Sequence, residues 1–197
     1  MYKRLFDISV ASFTLVLLSP LMAIIALCVK SESPGPALFI QRRIGIKDKE
    51  FAMYKFRTMV MGTPEVATDK LKNSEIYVTK IGYYLRKYSL DELPQLINII
   101  RGDMSFVGPR PALYNQYDLR EKRSKLSICQ LRPGLTGWAQ INGRDEISLE
   151  EKVALDFYYL KNCSFLFDIA IIFRTAFSMR LGNGVEVRKC NEKAKSV

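Results

Sequence analysis

The chain has 197 residues, enough for one sizeable core with at most a small appendage, and its 30 Lys and Arg against 20 Asp and Glu give a net charge of +10 that favours a polyanionic partner: phosphates, nucleic acid or an acidic membrane surface. Histidine is absent, which excludes every Ser-His-Asp or Cys-His nucleophile and every His-ligated metal site and leaves catalysis to carboxylates, amines, hydroxyls or thiols. The four cysteines, Cys28, Cys129, Cys163 and Cys190, form no C-x-x-C pair, so zinc and thioredoxin-like readings fall away and they read as reduced cytosolic thiols.

From Ile8 to Val29 the sequence carries no charge, and a helix of that length roughly matches the thickness of a bilayer core. Lys30-Ser31-Glu32 follows without a small-residue cleavage pattern, so the run is not a secretory signal. Ser19-Pro20 interrupts it. Proline lacks an N–H and its ring clashes with the Val16 carbonyl, so the spacing predicts a kink or break that leaves two halves too short to span. Lys3 and Arg4 flank one end, Lys30, Arg42 and Arg43 the other, and by the positive-inside rule both ends belong to the same side. Two structures fit: a kinked spanning helix, since proline is tolerated there, or a re-entrant helix-break-helix that dips into one leaflet and returns.

Ser33-Pro34-Gly35-Pro36 is a turn cluster that closes this segment. ALFIQRR and EFAMYKFR then read as two strands of a hairpin around the loop from Ile44 to Lys49. Residues 62–73 are polar and loop-like or weakly helical, and short helices are predicted over Thr79–Lys87 and Leu90–Arg101, the second stopped by Gly102. Ala112–Lys125 reads as a charged helix, followed by the glycine-punctuated loop from Pro133 to Trp138. Ser148 and Glu151 form a capping box that opens a helix to about Leu160. The apolar run from Phe165 to Phe177, with Asp168 and Arg174 its only charges, fits a core helix or an interfacial one, and the two roles can coexist. The tail from Arg188 is charged and frayed. Helix dominates, with little sheet.

The chemistry concentrates in Ser89-Leu90-Asp91-Glu92. One reading is structural: Ser89 and Glu92 make a capping box and the acids complement the helix dipole. The other is chemical: Asp91 is a nucleophile and Glu92 a ligand for Mg²⁺, since carboxylates form acyl phosphates and a hard cation prefers oxygen. Lys55, Arg57, Arg86, Arg110 and Arg144 are cations suited to phosphate oxygens, although for most a solvated surface charge is the plainer reading. Arg110 differs, because its flanking prolines stiffen the backbone and Gly108 permits close approach, which suits an anion clamp. The loop PGLTGWAQINGR, with three glycines, the single Trp138 and two amides, has the composition of a ligand loop, with Trp138 either stacking on a ligand or packing in the core. No Walker A or dinucleotide fingerprint occurs.

Five motifs in order, KRLFDISVA before Ser19-Pro20, YKFRTM at 54–59, SLDELPQL at 89–96, RGDMSFVGPRP at 101–111 and RPGLTGWAQINGR at 132–144, make the sequence resemble the bacterial sugar transferases, and among them a small monotopic phosphoglycosyl transferase acting on polyprenyl phosphate. The resemblance runs from Tyr2 to about Arg180. It implies a mostly helical α+β fold: a re-entrant membrane helix over residues 1–32 broken at Ser19-Pro20, a cytoplasmic catalytic domain over 33–185 with a β-hairpin and interfacial helices, and a polar tail over 186–197. It implies attachment to the cytoplasmic leaflet of the inner membrane, in a minimal form without the extra spanning helices of longer relatives. It also implies a ping-pong reaction that starts glycoconjugate and polysaccharide assembly. Asp91 attacks the β-phosphate of a UDP-sugar, UMP leaves, and polyprenyl (undecaprenyl) phosphate takes the sugar phosphate from Asp91. Glu92 matches the magnesium-binding acid, Arg86, Arg110 and Arg144 match phosphate-binding positions, and Lys55 matches a basic active-site position. Nucleic acid is not an implied partner. A basic binding module on a membrane anchor and a CDP-dependent phosphotransferase are the competing classes.

Overall fold

The computed structural model describes residues 2–64, 74–143 and 147–180; Arg144, the tail at 186–197 and most of the polar stretch at 62–73 lie outside the described residues. The first element, α1 (Tyr2–Glu32), is 31 residues long with Pro20 inside it. It is the one helix among the described residues long and apolar enough to cross a membrane. The break expected at Ser19-Pro20 does not interrupt the helix. Proline removes a single backbone donor, and the carbonyl it deprives, that of Val16, accepts the Ser19 hydroxyl at 2.8 Å.

Both halves of α1 pack on the rest of the chain. Ala11 is buried with Met53, Leu96, Ile99 and Met104, whereas Ile25 and Val29 are buried with Ala37, Phe56 and Leu85. The ends are fastened by polar groups as well. Lys3 donates to the Val107 carbonyl and ion-pairs with Asp168; Arg4 donates to the carbonyls of Ile99 and Ile100; Asp7 accepts from Ser105 Oγ and the Phe106 N–H. At the far end, Arg57 donates to the carbonyls of Val29, Ser33 and Pro34, and Glu32 accepts from the N–H groups of Lys80 and Ile81. Arg57 is therefore a C-terminal cap of α1, 4% exposed, and not a phosphate ligand. The outer face of α1 leaves Phe13, Val16, Leu17, Ile24 and Leu27 more than half exposed.

The predicted hairpin is present: β1 (Leu38–Ile44) pairs antiparallel with β2 (Glu50–Phe56), with Arg43 opposite Phe51 and Phe39 opposite Lys55. Directly opposed residues share a face of the sheet, so Gln41, Arg43, Met53 and Lys55 lie on one side. α2 (Lys80–Lys87) is capped by Thr79, whose hydroxyl accepts from the Gly82 N–H, and α3 (Gln95–Arg101) ends at Gly102 with φ 96. After it, β3 (Ser105–Val107) pairs in parallel with β5 (Gly134–Thr136), so the loop rich in glycine is partly strand. There the two backbones touch: a Cβ on Gly134 would lie 2.1 Å from the Gly108 nitrogen.

The helix predicted from Ala112 begins later. Ala112–Leu113 instead forms β4 on the open side of β1, and α4 covers Tyr117–Lys125. The Gln116 side chain holds the Leu113 N–H and Arg43 holds the Pro111 carbonyl, which keeps this stretch extended. A short helix, α5 (Trp138–Ile141), leads to α6 (Leu149–Asn162), opened by the expected Ser148–Glu151 capping box, and to α7 (Phe165–Arg180). α7 has the two faces its sequence allows: Ile171 and Asp168 are buried while Leu166, Phe173 and Phe177 are exposed. Trp138 packs against Tyr158 and Phe167 at ring distances of 5.7 and 5.0 Å, which makes it part of the core between α6 and α7.

Candidate active site

The segment from Ser89 to Gln95 is not capped as its sequence allows. Ser89 sits in the left-handed region at φ 54 with no side-chain cap, a 3-10 turn covers Leu90–Glu92, and Leu93 and Pro94 carry the right-handed turn on into α3. The capping box between Ser89 and Glu92 is thus absent. Glu92 instead turns to the sheet, where Lys55 Nζ holds its Oε1 at 2.7 Å. Glu92 is thereby delivered to the cleft side of the sheet, and Asp91 is buried beside it.

Three contacts set the position of this acid pair. Asn98, fully buried one turn along α3, donates to the Ala52 carbonyl at 2.7 Å and accepts from the Tyr54 N–H at 3.1 Å. Since β2 is an edge strand, the Asn98 amide completes the pairing that a neighbouring strand would supply. α2 approaches Thr58 so closely that a Cβ on Gly82 would fall 2.1 Å from the Thr58 carbonyl oxygen. That approach lets Arg86 Nε donate to Thr58 Oγ1 at 2.9 Å, within electrostatic reach of Asp91.

Asp91 itself is 8% exposed, with no ion pair among the described residues. Burial pushes its carboxyl up from the ordinary 3.8 to about 6; Lys55 pulls it down, Glu92 adds to the rise, and Arg86 opposes it. The group is thus held where ionisation near neutral pH gives a poorly solvated carboxylate flanked by cations. That is a reactive state for attack on phosphorus.

Arg110 closes the other side. Arg43, Lys55, Glu92, Gln95, Arg110 and the Gly134 backbone line one cleft. The Arg110 carbonyl accepts from Arg123 Nη1 at 2.8 Å, and Arg123 is itself held by Asp156 at 2.6 Å in a buried pair, so the Pro-Arg-Pro segment is fixed from behind. Lys55, Glu92 and Arg110 line this cleft, and Asp91, next to Glu92, lies within electrostatic reach of Lys55 and Arg86; Arg144 lies outside the described residues, and Ser19 and Pro20 belong to α1. Arg43 and Gln95 were not legible as site residues. The period-2 alternation of the hairpin, which puts Arg43 and Lys55 on one face, is the signal that finds the first of them.

Among the described residues the acids here are Glu92, which lines the cleft, and the adjacent Asp91, and no cluster of three His, Cys, Asp or Glu occurs. This donor set does not make an all-protein metal cage. It does fit Mg²⁺, which takes one or two carboxylates and completes its shell with water and substrate phosphate.

A buried acid among fixed cations, beside a long apolar helix, is the arrangement of a membrane-associated group-transfer enzyme. The family model for bacterial sugar transferases matches residues 1–182, and the chain belongs to that family. It is 40% identical over 185 residues to the uncharacterized sugar transferase EpsL of Bacillus subtilis (strain 168), a match covering 93% of this chain and 90% of that protein. It is 42% identical over 200 residues to the exopolysaccharide production protein ExoY of Rhizobium meliloti (strain 1021), covering 93% and 88%. To UDP-glucose:undecaprenyl-phosphate glucose-1-phosphate transferase of Escherichia coli (strain K12) it is 44% identical over 183 residues, covering 89% of this chain and 39% of the longer protein. The chain therefore spans most of the first two and under half of the third.

Proposed function

We propose that the chain transfers a sugar 1-phosphate from a UDP-sugar to polyprenyl (undecaprenyl) phosphate, with Asp91 carrying the group between them. The observation that supports this most is the desolvated carboxyl of Asp91, without an ion pair among the described residues, set beside Glu92 and Lys55. Asp91 Oδ attacks the β-phosphorus of the donor, the bond to the UMP oxygen breaks, and UMP leaves with that electron pair. An oxygen of polyprenyl phosphate then attacks the same phosphorus and Asp91 departs as carboxylate, giving polyprenyl-diphosphate sugar. Lys55, Arg86 and Arg110 neutralise phosphoryl charge and hold the line of attack, and neither step needs a histidine. Glu92 and Asp91 are the residues that would hold Mg²⁺, whose bound chemistry is neutralisation of phosphate charge. The relative from Escherichia coli bears the name of a transferase of this kind, which supports the same reaction here.

The site of action in this reading is the cytoplasmic leaflet of the inner membrane, with α1 re-entrant and the protein monotopic. Both ends of α1 are fastened to one body, Lys3, Arg4 and Asp7 at the start and Val29 and Glu32 at the end, which supports both ends lying on one face of the bilayer. Its exposed apolar middle, from Phe13 to Leu27, is then the part that enters the lipid. Single cysteines at Tyr2 and Ser33 in a Cys-free background are expected to resist an impermeant thiol reagent until the inner membrane is permeabilised. Labelling of position 2 from the periplasm sinks the re-entrant topology.

The test of the reaction is nucleotide release over a panel of UDP-sugars and CDP-activated donors. UMP is expected at no more than one per enzyme without acceptor, and catalytically once polyprenyl phosphate is added. Chelator is expected to stop the release and Mg²⁺ to restore it. Release of CMP, or no release at all from any UDP-sugar, overturns the reading in favour of another phosphotransferase or a basic binding module.

A further inference from the structure

We infer that Gln95 is a substrate-contacting residue of this cleft, its side-chain N–H donating to a non-bridging oxygen of the phosphoryl group that joins Asp91. The inference rests on the sugar-phosphate transfer proposed above and adds to it a neutral hydrogen-bond donor that neither charge nor motif reading supplied.

Gln95 is 3% exposed, and no hydrogen-bond partner reaches its Nε2. Buried amides are ordinarily satisfied, because an unpaired donor away from water costs the folded state its desolvation. The comparison lies on the same helix. Asn98, three residues on and equally buried, has both sides of its amide engaged, with donors to the Ala52 carbonyl and Asp103 and an acceptor for the Tyr54 N–H. Asn98 holds the fold together; the Nε2 of Gln95 holds nothing.

Its place says what the open donor is for. The backbone from Leu90 through Pro94 keeps right-handed geometry, so Asp91, Glu92 and Gln95 are neighbours on successive turns, four and three residues apart. Gln95 also lines the cleft with Arg43, Lys55, Glu92 and Arg110. The other donors there are cations, which neutralise charge on any anion. A carboxamide adds direction without charge, and a donor placed before substrate arrives costs no reorganisation when negative charge spreads over the phosphoryl oxygens. Gln95 is thus a buried wall residue of the cleft, one helical turn from Asp91, within reach of a phosphoryl group that Asp91 would carry.

The experiment uses the full chain in detergent or nanodiscs with two variants. Gln95→Met keeps length and volume but has no N–H; Gln95→Glu keeps shape but presents an acceptor. Loss of one hydrogen bond to a charged group corresponds to a fall of roughly 10- to 100-fold, so Gln95→Met is expected to lower kcat/KM for UMP release by that factor, chiefly through kcat. Its unfolding midpoint without substrate is expected to match or exceed the wild type, because an unsatisfied buried donor has been removed. A structural role predicts the reverse, a lower midpoint. Gln95→Glu is expected to be weaker still at pH 8, and its activity relative to wild type is expected to rise as the pH falls and the new carboxyl regains an O–H donor. Activity of Gln95→Met within twofold of wild type, a midpoint that falls together with activity, or a Glu-to-wild-type ratio flat with pH each overturns the inference. If wild type itself releases no UMP from any UDP-sugar, the transfer reaction is what has failed; an active wild type beside an equally active Gln95→Met refutes Gln95 alone.

Discussion

Among the described residues four aspartates are buried, and three of them differ from the fourth. Asp7 is held by Ser105 and the Phe106 N–H, Asp156 by two nitrogens of Arg123, and Asp168 by Lys3 and Tyr159. Each is a tie: Asp7 and Asp168 fasten the start of α1 to β3 and α7, and Asp156 fixes Arg123 behind the Arg110 loop. Asp91 is the one of the four, among the described residues, with neither an ion pair nor a side-chain hydrogen-bond partner, and burial raises its pKa to about 6. The three that tie the fold together have side-chain partners, whereas the proposed nucleophile is left with fewer, at a cost in stability.

The sharpest way to break this contrast is to neutralise each acid in turn. Asp91→Asn keeps the shape and should fold, but UMP release is expected to drop by at least about a thousandfold, since the amide is no nucleophile. Mass spectrometry of wild type mixed with donor alone should find the phosphosugar on the peptide that contains Asp91. A phosphosugar elsewhere, or near-normal release from Asp91→Asn, removes the distinction altogether. Arg110 is the next largest effect. Arg110→Lys retains charge and loses the bidentate fork, and a fall of about 10- to 100-fold in kcat/KM is expected in the same release assay; full activity would make Arg110 a mere point charge.

Why the sequence disclosed some of this and not the rest follows from the range of the forces involved. The hairpin, the Ser148–Glu151 box and the Gly102 stop depend on residues within a few positions of one another, and these were legible. The Ser89–Glu92 box was equally legible and is absent, because Lys55, distant in sequence, offers Glu92 an ion pair that a local cap cannot match. Ala112–Leu113 became strand for the same reason: β1 had an unpaired edge that local helix propensity does not register. In the site, the acids and Arg110 stood out through motif and rigidity. Gln95 and Arg43 did not, since an amide and a strand arginine become informative only once burial and facing are known.

The structural acids should behave oppositely to the proposed nucleophile. Asp156→Asn leaves Arg123 buried with half its pair, and a loss of about 3 kcal/mol or more is expected in denaturant unfolding. The double change Arg123→Met with Asp156→Leu removes both charges and should recover most of that stability. Activity should stay depressed in the double variant, because the Arg110 carbonyl has lost its donor. Restored activity along with restored stability would show that the Arg123 contact does not position Arg110.

The smallest effect is the most specific. The folded enzyme holds the Asp91 proton up to about pH 6, against an ordinary value of 3.8, so folding favours the protonated form. Stability from that preference is fully present below 3.8 and is lost as the pH rises through about 6, where the buried carboxyl is forced to ionise. Asn at this position is neutral at every pH and loses nothing. Asp91→Asn should therefore be about as stable as wild type near pH 4 and more stable above pH 7, by up to roughly 2–3 kcal/mol at one pKa unit per 1.36 kcal/mol. Denaturant unfolding of both proteins, with chelator present and substrate absent, at pH 4 and 7.5 measures the difference of differences. If Asp91→Asn is the less stable protein at pH 7.5, Asp91 is a fold-holding acid like Asp156, and the separation between reactive and structural carboxylates in this chain is lost.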